Sequence, residues 1–165
     1  MRPPETLDYN GTSMREYRYL VDRDGRIFHD GTEIVDPFVL RFFLRSMKTT
    51  PDGRYLVLCQ DEHNWFEPHD TPFVVQRLRL TVDEGHLRGV ELCFAGDYRE
   101  PLDPASLQAE GGHLFCRVRH GAFRARFGRV AMQQIAPFLT EGEGGPALLF
   151  GAVRYQIRDL TPVPA

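Results

Sequence analysis

The side chains best suited to chemistry lie on one predicted hairpin near the C-terminus. His120-Gly121 reads as a two-residue loop, and such a loop sets the register of the strands it joins. Val118 then faces Phe123, Cys116 faces Ala125 and Leu114 faces Phe127, so one face is wholly apolar and belongs in a core. The opposite face sets Arg117 against Arg124 and Phe115 against Arg126, with Arg119 beside the turn. Like charges directly opposite each other on a strand pair are unfavourable, so something must compensate them. Acidic side chains from elsewhere in the chain, solvent, or a bound anion such as phosphate would each do so. Arginine suits bidentate contact with phosphate, and an aromatic ring beside it can stack on a base. The candidate ligand-binding residues are therefore Arg117, Arg124, Arg126 and Phe115, for a nucleotide-like or other small anion. A solvated or internally paired face is the competing reading.

A second cluster runs from Asp61 to Asp70, where two histidines and four acids fall within ten residues. Such a set could ligate a divalent metal. The spacing matches no metal knuckle, however, and a strand would send Glu62 and His63 to opposite faces. A charged turn followed by a Pro-punctuated edge strand accounts for it without a metal. Trp65 and the many phenylalanines fall on apolar faces and read as core. The chain has no GxxxxGK[ST], no GxGxxG after a strand, no HExxH and no GxSxG. No catalytic residue, metal or cofactor is assigned. Were the protein an enzyme on a small anionic substrate, Asp70 would be the candidate general base.

Positioning these residues falls to an ordinary globular chain of 165 residues, 42% hydrophobic and 26% charged. The net charge of −3 excludes a globally basic DNA or RNA binder. No apolar run is long enough to span a bilayer, and the N-terminus has neither a secretory h-region nor an Arg-rich transit pattern. Cys59, Cys93 and Cys116 are odd in number, widely spaced and set in apolar strand patterns, which points to buried reduced thiols and a cytoplasmic location.

Periodicity divides the chain. Residues 1–14 read as a polar, mobile tail. Residues 15–70 read as a first ββαββ unit: a hairpin turning at Asp22–Gly25, a helix opened by Asp36-Pro37, a strand Tyr55–Cys59 covered on both faces, a polar turn Gln60–Asn64, and Trp65-Phe66. Residues 71–112 read as a long hairpin opened by Phe73-Val74-Val75, then a loop over 96–112 with at most one helical turn. Residues 113–160 repeat the opening order, with a helix-like run from Arg129 to Leu139 that Pro137 ends or kinks. The fold class is thus α+β: mostly antiparallel strands, two main helices and a duplicated ββαββ motif in a single protein.

The strings REYRYLVDRDGRIFHDG, GRYLVLC and EPHDTPFVV resemble an uncharacterised family found in bacteria and in eukaryotic mitochondria. The string GHLFCRVRHGAFRARFGRVAMQQIAPF, followed by GAVRYQI, is similar to a second bacterial family of unknown function. That family has duplicated motifs and a pleckstrin-homology-like second half. Together the resemblances span residues 15–160. They imply a ligand of nucleotide type held between the halves, and a signalling role. The signature Asp70-x-Pro72-Phe73 is present, but His69 stands where an acid is common. The expected function is a non-enzymatic small-ligand binding module. The alternatives are an enzyme on an anionic substrate, or a protein–protein adaptor presenting a strand edge.

Overall fold

The computed structural model describes residues 5–7 and 13–161. Their strands and two helices build an α+β architecture of four sheets among the described residues.

The first sheet has Ser13–Val21 and Glu62–Pro68 side by side and parallel, Tyr19 opposite Phe66. Ile27–His29 and Thr32–Glu33 extend it on one side, Tyr55–Cys59 and Lys48–Thr49 on the other. Helix α1, Pro37–Ser46, joins the two halves of this sheet. It begins where the sequence places it: the Asp36 carboxylate accepts from Phe38 N at 2.9 Å, and Pro37 occupies the first turn, where no N–H is needed. Its inner face buries Leu40, Phe43 and Leu44. The Phe43 ring sits 5.0 Å from both Tyr19 and Phe66, so helix and sheet meet through aromatic packing.

A second sheet is the antiparallel trio Arg77–Asp83, His86–Cys93 and Arg99–Pro101. A third carries the arginine hairpin, His113–Val118 with Phe123–Phe127. Phe73–Val75 joins it in parallel on one side, and Gln108–Glu110 and Arg158–Asp159 on the other. Helix α2, Arg129–Ile135, follows, and then the antiparallel strands Leu139–Gly142, Gly145–Phe150 and Val153–Gln156. One continuous core runs through all of this. Phe73 lies 5.0 Å from Phe123 and 5.6 Å from Phe94, joining three segments far apart in the chain.

Several local expectations are revised. Phe73–Val75 does not open the middle hairpin; it pairs with Phe123–Phe127, its three residues all buried. Residues 96–112 are not a plain loop. They hold strands Arg99–Pro101 and Gln108–Glu110 and a 3-10 turn at Pro104–Ser106, too short to leave a periodic signal. The turn after Cys59 is tighter than Gln60–Asn64, since the next strand begins at Glu62. Tyr55–Cys59 is covered on both faces only at Leu56 and Val57; Leu58 is 43% exposed and Cys59 half-buried. The second helix stops at Ile135, and Pro137 takes part in a closing 3-10 turn, Ala136–Phe138. Within the N-terminal stretch 1–14, Glu5–Leu7 is a strand paired with the start of Ser13–Val21; the rest of 1–12 lies outside the described residues.

A hairpin, a helix and three strands follow one another over residues 13–68, with the short strand Thr32–Glu33 before the helix, and again over residues 113–156, so neither run is a plain ββαββ unit, and the pairing differs. The strands of the first run share one sheet, whereas those of the second divide between two.

Candidate functional site

The hairpin has the register that its turn dictates. Val118 pairs with Phe123, Cys116 with Ala125, Arg117 with Arg124 and Phe115 with Arg126. His120 and Gly121 both adopt positive φ, +57° and +83°, the combination a two-residue turn of this kind requires. The apolar face is buried as expected. The opposite face is where the compensation of like charges can be read directly.

Each arginine has found a different solution. Arg124 donates to Glu110 at 2.6 Å, and its guanidinium lies 3.5 Å from the centre of the Phe115 ring. Phe115 is only 3% exposed, so the face offered for a stacked base is already taken by Arg124. Arg126 lies 3.6 Å from Asp70, while its buried Nε has no hydrogen-bond partner among the described residues. Asp70, the candidate general base, is therefore occupied as a counter-charge. Arg119 turns away altogether. Its Nη1 donates to the carbonyls of Leu44 at 2.7 Å and Met47 at 3.1 Å, at the C-terminal end of α1. There a cation meets carbonyls the helix leaves unpaired. Arg117 alone of the four makes no ion pair or side-chain hydrogen bond among the described residues, and it is exposed.

Arg117 lines a cleft of about 580 Å³ with Tyr98, Glu100, Asp103, Arg119 and His120. The acids in it are engaged. Glu100 accepts from Tyr98 Oη at 2.5 Å and from Arg119 N at 3.0 Å, and Asp103 caps the 3-10 turn through Ala105 N at 3.3 Å. Burial first, and then this bond to Glu100, push the Tyr98 phenol well above its ordinary value, so it stays protonated and donating. Both carboxylates of the cleft thus accept hydrogen bonds, and the Arg117 side chain pairs with neither among the described residues. The signal that would have found the cleft lies in the strand at 99–101, whose brevity hid it.

The Asp61–Asp70 segment shows no metal centre. Among the described residues no three His, Cys, Asp or Glu side chains gather as a ligand group. Asp61 and Glu62 lie 3.5 and 3.6 Å from Arg15, and Glu67 lies 3.9 Å from Arg18. Trp65 is not core. It stands on the face away from α1, with the Arg54 guanidinium 4.0 Å from its ring centre, beside a smaller cleft of about 270 Å³.

No protein-family model matches the chain. Two solved structures share the fold. One is a DUF1285 family protein from Silicibacter pomeroyi DSS-3, with TM-score 0.64 and 15% identity, covering 89% of this chain and 84% of that one. The other is a DUF1285 family protein from Shewanella baltica OS155, with TM-score 0.54 and 12% identity, covering 73% of this chain and 91% of that one. No helix among the described residues is long and apolar enough to cross a membrane.

Proposed function

We propose that the protein is a non-enzymatic binding module for a small phosphate-bearing anion of nucleotide type, acting in signalling rather than catalysis. The observation that carries this reading is Arg117: a guanidinium with no ion pair among the described residues, lining the cleft of about 580 Å³, while its neighbours Arg124 and Arg126 lie against Glu110 and Asp70. An arginine with no ion pair among the described residues keeps its N–H fork for bidentate phosphate contact. The binding set drawn from the sequence, Arg117, Arg124, Arg126 and Phe115, contracts in this proposal to Arg117, with His120 and Tyr98 as neighbouring polar groups. Arg124 and Phe115 become its support. The enzyme alternative loses ground because Asp70 faces Arg126.

Thermal denaturation in the presence of inorganic phosphate and a panel of nucleotides tests this. A ligand at about a hundred times its Kd should raise Tm by about 5–10 °C for a domain of this size. The same ligand should give no shift with Arg117→Ala. An absence of any shift across the panel, or an undiminished shift in Arg117→Ala, refutes the reading.

A further inference from the structure

The strand Arg77–Asp83 is the outer member of its three-stranded sheet, with His86–Cys93 on one side only. At Leu78 the open side is occupied. Gln134 of α2 accepts from Leu78 N at 2.7 Å and donates to Leu78 O at 2.9 Å, so one side-chain amide imitates a paired strand residue. These bonds fix which way the strand faces. Since Leu78 points its N–H and C=O outward, the period of two directs those of Leu80 and Val82 to the same open edge. Val82 is also 48% exposed, large and apolar.

We propose that this edge pairs with the same edge of a second copy of the chain, antiparallel, about a two-fold axis at Thr81. The segment Arg79-Leu80-Thr81-Val82-Asp83 is self-complementary in that register. Leu80 falls opposite the partner's Val82, and these are the residues whose outward backbone groups have no partner among the described residues, so the two symmetric pairs close four hydrogen bonds. Arg79 falls opposite the partner's Asp83, and opposite charges facing each other across strands are favourable. Asp83 makes no ion pair within its own subunit among the described residues, and Arg79 has only Glu91 at 3.8 Å. Each Val82 is covered by the partner's Leu80. The partner strand also ends where it must: its turn at Glu84-Gly85 leads it away just as it comes level with Leu78, which Gln134 already fills. A second copy is the occupant these charges fit, and the pairing is isologous, as a two-fold interface has to be. A ladder this short gives weak, concentration-dependent association.

Sedimentation velocity of the full chain from about 1 μM to about 1 mM should show a monomer–dimer equilibrium. Arg79→Asp and Asp83→Arg should each raise the dissociation constant by about tenfold or more, through like charges set face to face. Combining them in Arg79→Asp/Asp83→Arg should restore it. In a Cys59→Ala background, Thr81→Cys should form an intermolecular disulfide on mild oxidation, because residue 81 meets itself at the axis in a close, non-hydrogen-bonded pair. Arg79→Cys, which meets the partner's Asp83, should not. A monomer at every concentration overturns the proposal. So does a dimer indifferent to charge reversal, or equal crosslinking at positions 79 and 81.

Discussion

Cys116 shows how far burial can set a residue's chemistry. It sits inside the hairpin at 1% exposure, and burial, with Glu100 and Asp103 adding to it, pushes its thiol up to about 12. A thiol in the unfolded chain ionises near about 8.5. The folded state thus holds its proton more tightly, and the stabilisation this gives is complete below the unfolded value and lost as pH rises through the folded one. Urea denaturation of wild type and Cys116→Ala should show the wild-type advantage constant at neutral pH and shrinking from about pH 9 upward. An advantage that grows with pH would contradict the burial account. Half-buried Cys59 should react with an alkylating reagent in the native protein at neutral pH, while Cys93 and Cys116 stay protected.

Among elements, the hairpin was legible because its register depends on one local feature, the turn at His120-Gly121, which settles every cross-strand pair. The start of α1 was legible for the same reason, since Asp36 and Pro37 act within one turn. The parallel pairs were not legible. Ser13–Val21 with Glu62–Pro68, and Phe73–Val75 with Phe123–Phe127, join segments some fifty residues apart, and nothing in either segment encodes the other's register. The candidate site was half legible. Arg117, Arg124 and Arg126 lie on one face as expected, but the counter-charges of Arg124 and Arg126, Glu110 and Asp70, come from a strand too short to announce itself and from a distant turn. Arg119 was missed because its partners are backbone carbonyls 75 and 72 residues away.

Gln134 is an element-scale device of the same hidden kind, since it ties α2 to the strand Arg77–Asp83 through two bonds to one residue. Gln134→Glu keeps the acceptor for Leu78 N and replaces the donor to Leu78 O with a second carboxylate oxygen. A carboxylate facing a part-buried carbonyl should cost about 1–3 kcal/mol at neutral pH. Protonation supplies a donor again. A cost to the charged form lifts its folded-state pKa above the ordinary Glu value of about 4, so the deficit should narrow as pH falls toward about 4 and be smallest below it. Denaturant unfolding of both proteins at pH 7 and at low pH checks this. A deficit independent of pH would mean that the second bond is immaterial.

At the scale of the whole molecule, the question is whether the two halves are stable apart. Three features bind them. The core is continuous from Tyr19 to Ile157. Phe73–Val75, just beyond the first sheet, is itself a strand of the sheet that carries the arginine hairpin. The guanidinium of Arg119, at the tip of that hairpin, holds the carbonyl end of α1. With no boundary at which contacts thin out, unfolding should be one cooperative transition. Far-ultraviolet circular dichroism and Trp65 fluorescence should then give coincident denaturation curves, since Trp65 lies in the first sheet and the secondary-structure signal comes from the whole chain. Arg119→Met removes two charge-assisted bonds and leaves helix carbonyls unpaired in a part-buried place. It should lower stability by about 1.5–3 kcal/mol. Because the shared core outlasts that single tie, both curves should move together. If Arg119→Met instead separates them, the guanidinium is what makes the two halves a single folding unit, and the core between them is weaker than its continuity implies.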